Sequence, residues 1–164
     1  MTKRYWDDIV EGEQLDCQSV VLSLEEIIEF AQKFDPQQFH VDENIAAASR
    51  FKGIIASSLH TLSACTRVIV DAQKDVEILI GLGILEVALP NAVRPGDVLS
   101  VDAYWSDLRR SSSKPLQGLA TVRFTVRNQH GESVLESGYK YMIVCRNNVP
   151  THQVIKDPSC SIKF

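Results

Sequence analysis

From Gly53 to Asp71 the sequence carries no proline and, past Gly53, no glycine, and its side chains are almost all small or apolar until Arg67. Such a stretch reads as a helix, and a helix that is apolar nearly all round has to be buried. The residues after it are suited to burying it. Ile78–Leu89 is β-branched and aliphatic, with Gly81 and Gly83 allowing a bend or bulge. Arg94-Pro95-Gly96-Asp97 marks a turn, Val98–Leu108 and Gly118–Asn128 alternate, and Gln129-His130-Gly131 leads into a strand over Glu132–Val144. Helices followed by a run of antiparallel strands define the α+β class, and the pattern predicts an antiparallel sheet wrapped around one long buried helix.

Upstream, residues 5–12 read as a loop anchored by Trp6, and Leu15–Leu22 as a short strand. Ser23-Leu24-Glu25-Glu26 is a capping box, and Ile27, Ile28, Phe30, Ala31 and Phe34 supply the apolar stripe of a helix over 24–33. Asp42 is placed to cap a short helix through Ser49. At 164 residues the chain fits one domain over 1–146, with 147–164 an aperiodic tail.

A net charge of −4 gives no global attraction for nucleic acid or an anionic membrane. No apolar run approaches the roughly 20 residues of a membrane span, and Met1–Asp8 lacks the apolar core of a signal peptide. Cys17, Cys65, Cys145 and Cys160 form no CxxC and no cluster with histidines, so neither a metal site nor a disulfide framework is expected. These features predict a cytoplasmic protein without metal or cofactor.

Phe34-Asp35-Pro36-Gln37-Gln38-Phe39-His40 holds the candidate chemistry. Pro36 ends the preceding helix and leaves Asp35 and His40 on an irregular segment through Val41. From spacing alone the plainer reading is a helix-terminal aspartate and a partly exposed histidine. The functional one is an acid–base pair in a cleft, tuned by mutual hydrogen bonding. Gly53 serves a tight turn, or presents a backbone N–H to a developing oxyanion; Ser57 and Ser58 start a helix, or help hold negative charge there. His60 is read as a core or interface histidine. Arg109-Arg110-Ser111-Ser112-Ser113-Lys114 is a basic loop, either a solvated hairpin end or a contact for phosphates.

Taken together with Phe51-Lys52-Gly53-Ile54-Ile55-Ala56-Ser57-Ser58-Leu59-His60-Thr61, Val93-Arg94-Pro95-Gly96-Asp97 and Arg127-Asn128-Gln129-His130-Gly131-Glu132, that segment resembles the MaoC-like dehydratase family, relatives of the (R)-specific 2-enoyl-CoA hydratases. The resemblance covers roughly residues 5–145 and implies the hot-dog fold. It places the family's Asp-x-x-x-x-His pair on Asp35 and His40, and the carbonyl-polarising glycine on Gly53. The helix serine falls on Ser57 by one branch of the family and on Ser58 by the other. Gly83-Ile84-Leu85-Glu86-Val87 departs from the polar, tryptophan-bearing stretch usual there.

The resemblance implies reversible addition of water to a 2-enoyl-CoA, with coenzyme A entering as part of the substrate, Arg109 and Arg110 as candidate phosphate contacts, and a homodimer or dimer of dimers. The rivals are an acyl-CoA thioesterase and a non-catalytic acyl-CoA- or lipid-binding subunit.

Overall fold

Ser23 opens the first long helix as its capping box requires. Its hydroxyl accepts the Glu26 N–H at 3.2 Å while the Glu26 carboxylate accepts the Ser23 N–H at 2.8 Å. The computed structural model describes residues 2–146. The tail expected over 147–164 lies outside them. In chain order come a 3-10 turn (Trp6–Asp8), short strands β1 (Gln14–Leu15) and β2 (Val20–Val21), helices α1 (Leu24–Phe34), α2 (Gln38–Val41), α3 (Glu43–Ala48) and α4 (Ser58–Ala72), and strands β3 (Ile78–Ile84), β4 (Val98–Arg110), β5 (Gln117–Arg127) and β6 (Ser133–Val144).

The strands form one antiparallel sheet in the order β1-β4-β5-β6-β3, with β2 also pairing β4. Alternation sorts its two faces. Trp105, Val122 and Tyr139 stand opposite one another across β4, β5 and β6 and are buried, whereas their neighbours Tyr104 and Arg123 face outward. Helix α4 lies along the inner face. Gln73, just past its C-terminus, donates to the Tyr141 hydroxyl at 3.1 Å, and the Thr66 hydroxyl bonds that of Tyr139. This is the α+β hot-dog architecture, an antiparallel sheet curled round a long helix.

Two expectations about that helix need correction. It begins at Ser58 rather than Gly53, because Ser57 has extended backbone (ψ 142) and caps it by accepting the Leu59 N–H at 3.2 Å. Nor is it buried all round. A single sheet covers one side, so Thr61, Cys65 and Ile69 are sealed while Leu59, Ser63, Arg67 and Val70 form an exposed stripe.

Strand β3 also stops short, at Ile84 rather than Leu89. Register shifts fall between Ile78 and Ile80 and between Gly81 and Gly83, as the glycines suggested. The chain rejoins the sheet only through a bridge from Ala88 to Glu136. β3 is an edge strand with Leu79, Ile80, Leu82 and Ile84 all more than 40% exposed.

At the start of the central strand β5, Trp6 is the anchor expected. Its indole donates to the Leu119 carbonyl at 3.0 Å and lies where a β-carbon on Gly118 would sit, 2.2 Å from the ring. Gly118→Ala is therefore expected to expel the indole and cost about 1–3 kcal/mol, read as a lower denaturant midpoint with a blue-to-red shift of tryptophan emission. An unchanged midpoint would remove Trp6 from the account.

Candidate active site

Helix α1 ends where Pro36 forbids it to continue. The Asp35 N–H still reaches the Ala31 carbonyl at 2.8 Å, but Asp35 itself has left helical geometry (φ −154°, ψ 69°). The segment beyond Pro36 is not irregular throughout, as the sequence suggested. Gln38–Val41 closes one helical turn, and that turn carries His40 inward until it is 4% exposed. Asp42 then caps α3 by accepting the Ile45 N–H at 2.9 Å.

His40 Nδ1 lies 2.7 Å from the Ile55 carbonyl, which can only accept, so Nδ1 carries the hydrogen and Nε2 of the neutral ring presents its lone pair. Nε2 is 3.6 Å from Asp35 Oδ2. That is too long for a direct hydrogen bond, and both atoms are acceptors; one water donating to each would satisfy the pair.

The carboxylate is held from two more directions. Buried Ser57 donates its hydroxyl to Asp35 Oδ2 at 2.7 Å, and Gln37 Nε2 donates to Oδ1 at 3.0 Å. The Ser57 bond first, then that of Gln37, hold the Asp35 carboxyl below the usual aspartate range, against a smaller opposing effect of burial. Asp35 is thus a carboxylate at neutral pH.

Asp35, Gln37 and His40 open on a cleft of about 290 Å³ shared with Ser58 and Thr61 of α4, the aromatic wall of Phe51, and the chain from Leu89 to Val93. Ser57 and Ser58 therefore divide the part that was open between them. Ser57 orients the carboxylate from behind, and Ser58 faces the cleft as the first residue of α4, where the N–H has no intrahelical acceptor.

Gly53 departs from the expected role. Its N–H already donates to the Ala46 carbonyl at 3.0 Å, so it is not free to polarise a thioester. Its φ of +150° is the reason for glycine there.

Arg109 and Arg110 do not line the dyad's cleft. Arg110 is paired with Asp7 and stacked over Trp6, and Arg109 borders a separate hollow with Leu82, Leu85, Arg123 and Lys140. Within 83–87, Leu85 packs on Gly138 and none of the five lines the dyad's cleft. His60 stacks face to face on Phe30 at 4.5 Å, away from the cleft, in keeping with a packing role. Sequence reasoning missed Gln37 as a partner of Asp35 and Arg50 as a lining residue. An amide side chain two residues past an aspartate, across a proline, was the available signal for the first.

One long helix against a curled antiparallel sheet, with an Asp–His pair at the helix's N-terminal end, defines a single hot-dog protein of the dehydratase type. The chain belongs to the MaoC-like family, since residues 8–128 match the MaoC like domain. It is 30% identical over 138 residues to the uncharacterized protein YdeM of Bacillus subtilis (strain 168), covering 84% of this chain and 96% of that one. Among solved structures it resembles the MaoC-like dehydratase from Rhodospirillum rubrum (32% identity, TM-score 0.79, 88% of this chain and 99% of the other). It shares its fold with the R-hydratase PhaJ1 from Pseudomonas aeruginosa (20% identity, TM-score 0.68, 86% of each chain). Among the described residues no helix is long and apolar enough to cross a membrane.

Proposed function

We propose that this chain catalyses the reversible hydration of a 2-enoyl-CoA. The observation that carries the reading is the convergence of two acceptors, His40 Nε2 and Asp35 Oδ2, 3.6 Å apart at the cleft. A water seated between them has both hydrogens directed at bases and its lone pairs directed into the cleft. As that oxygen attacks C3 of the enoyl group, one water proton passes to the pair and the π electrons move through C2 onto the thioester oxygen. The enolate collapses by taking that proton back from the pair at C2, so that OH is added at C3, H at C2, and the pair is restored; dehydration is the reverse. The N–H of Ser58, without a partner among the described residues, and the positive end of α4 are the donors available to the enolate oxygen.

Loss of enoyl absorbance across short-, medium- and branched-chain enoyl-CoA esters tests the reading. Release of free thiol instead identifies a thioesterase. Binding of these esters without turnover, indifferent to Asp35→Asn, identifies a non-catalytic subunit.

The pH profile adds a check. With its carboxyl held below the ordinary range, Asp35 stays ionised as pH falls, so the acid limb assigned to it lies below the usual aspartate value. Ser57→Ala removes the largest cause of that depression and moves the acid limb upward. It also removes the α4 cap, at about 1 kcal/mol. The linkage has the same sign. The depressed pKa contributes stability above the unfolded value of about 3.8, lost as pH falls through the folded one. An acid limb that stays put in Ser57→Ala would contradict the assignment.

The active form is a homodimer, or a dimer of dimers, joined through β3. That edge presents unpaired backbone groups flanked by Ile80, Leu82 and Ile84, which a second copy covers isologously. Sedimentation at micromolar concentration should give at least a dimer and Leu82→Lys a smaller species; a monomeric wild type would overturn this.

A further inference from the structure

The cations of the described residues divide into those with a carboxylate partner and those without, and Arg109, Arg127 and Lys140 on the sheet are among the latter. Lys3, Arg4, Arg110, Arg123 and Arg146 each have one within 4 Å. Three that surround Phe51 have none among the described residues: Arg50, Lys52 and Arg94.

The two arginines are held in place without being neutralised. The Arg50 guanidinium sits 5.0 Å over the Phe51 ring and lines the dyad's cleft. One terminal nitrogen of Arg94 donates to the Phe51 carbonyl at 2.6 Å, and the other passes over Gly53, 3.6 Å from where a β-carbon would be. Lys52, next to Phe51 in the chain, is exposed and occupies the left-handed region (φ 58°) that a glycine would fill at lower cost. From this cluster a row of rings leads inward. Phe51 lies 5.0 Å from Phe39, and Phe39 meets His40 edge-on at 4.5 Å. Phe39 packs behind this row against the core, while Phe51, His40 and Arg50 face the cleft.

We infer that Arg50, Lys52 and Arg94 hold the nucleotide phosphates of the coenzyme A portion of the substrate, with the pantetheine arm entering the cleft past Phe51 to reach the dyad. This rests on the reading of the cleft as an acyl-CoA site. In a chain of net charge −4, three unneutralised cations fit the several negative charges of a diphosphate and a 3′-phosphate better than the single charge of a carrier-protein phosphodiester.

The test measures binding of free coenzyme A by calorimetry, so it does not depend on turnover. Arg50→Gln/Lys52→Gln/Arg94→Gln should weaken coenzyme A and 3′-phospho-ADP alike by roughly ten-fold or more and flatten the salt dependence of binding. It should raise KM for an enoyl-CoA but not for the enoyl-pantetheine that lacks the nucleotide. A triple variant within two-fold of wild type overturns the inference. So do loss of binding in Arg109→Gln/Arg110→Gln in its place, competition by 4′-phosphopantetheine but not by 3′-phospho-ADP, and an equal rise in KM for both thioesters. Loss of coenzyme A binding in the triple variant, with no hydration of any enoyl ester by wild type, supports the cation assignment and sinks the hydratase reading alone.

Discussion

Asp35→Asn and His40→Gln are each expected to lower hydration of a 2-enoyl-CoA by roughly 10²–10⁴-fold while leaving circular dichroism and thermal midpoint close to wild type. The reason lies in the atoms each change supplies. Asparagine keeps an oxygen to accept from Ser57 at the 2.7 Å position, but it replaces the other carboxylate oxygen with an NH₂. With the oxygen kept for Ser57, that NH₂ stands at Oδ1 and meets the Gln37 amide, itself a donor there. Turned the other way, it gives up the Ser57 bond and fills with a direct donor to His40 Nε2 the gap that the water should occupy. In both cases the negative charge is lost. Glutamine at 40 can still donate to the Ile55 carbonyl that Nδ1 now holds at 2.7 Å, so the local backbone is supported. It offers no basic nitrogen in return. Near-wild-type turnover in either variant would remove the pair from the mechanism.

The second large effect is on stability. Ile69 is fully buried on the face of α4 that meets the sheet, one turn beyond Cys65. The helix above it and the strands below it are continuous hydrogen-bonded elements, so neither closes easily on a void. Ile69→Ala is therefore expected to cost about 2–5 kcal/mol and Ile69→Val about 0.5–1.5. For a chain of this size each kcal/mol lowers the melting midpoint by roughly 2–4 °C, a graded series that scanning calorimetry resolves. An alanine variant that loses less than 1 kcal/mol would mean that α4 is not held to the sheet through this side chain.

Much of the architecture was legible because local and long-range signals agreed. The Ser23–Glu26 box and the stripe through Ile27 and Ala31 placed α1 to within a residue of its end, and alternation located β4, β5 and β6. Reading failed where one signal had two meanings. Ile54-Ile55-Ala56 is an apolar run equally suited to a strand or a buried helix, and it is neither, lying buried ahead of α4 with the Ala56 N–H donating to the Val93 carbonyl. Ser57, which caps α4, is plain in the sequence, but with another serine beside it no local signal separates the cap from the first turn. The role given to Gly53 failed for a different reason. A glycine signals permissive backbone, whereas the whereabouts of its amide depend on Ala46, a partner seven residues away that no spacing rule identifies. The cations were hardest. Arg50, Lys52 and Arg94 come together only because the turn at Gly53 brings Phe51 beneath the Arg94 side chain. By contrast the adjacent pair Arg109-Arg110 stood out in the sequence, and the fold engages Arg110 with Asp7.

Ser57 makes two bonds through one oxygen, accepting from the first turn of α4 and donating to the carboxylate at the end of α1. Two helices remote in sequence are thereby latched at a single atom, and fraying of that turn releases the aspartate at the same moment. Amide hydrogen exchange at Leu59 and the orientation of the reacting water should then report one opening event, so that mild denaturant silences the chemistry at the concentration where this turn, and not the sheet, begins to exchange.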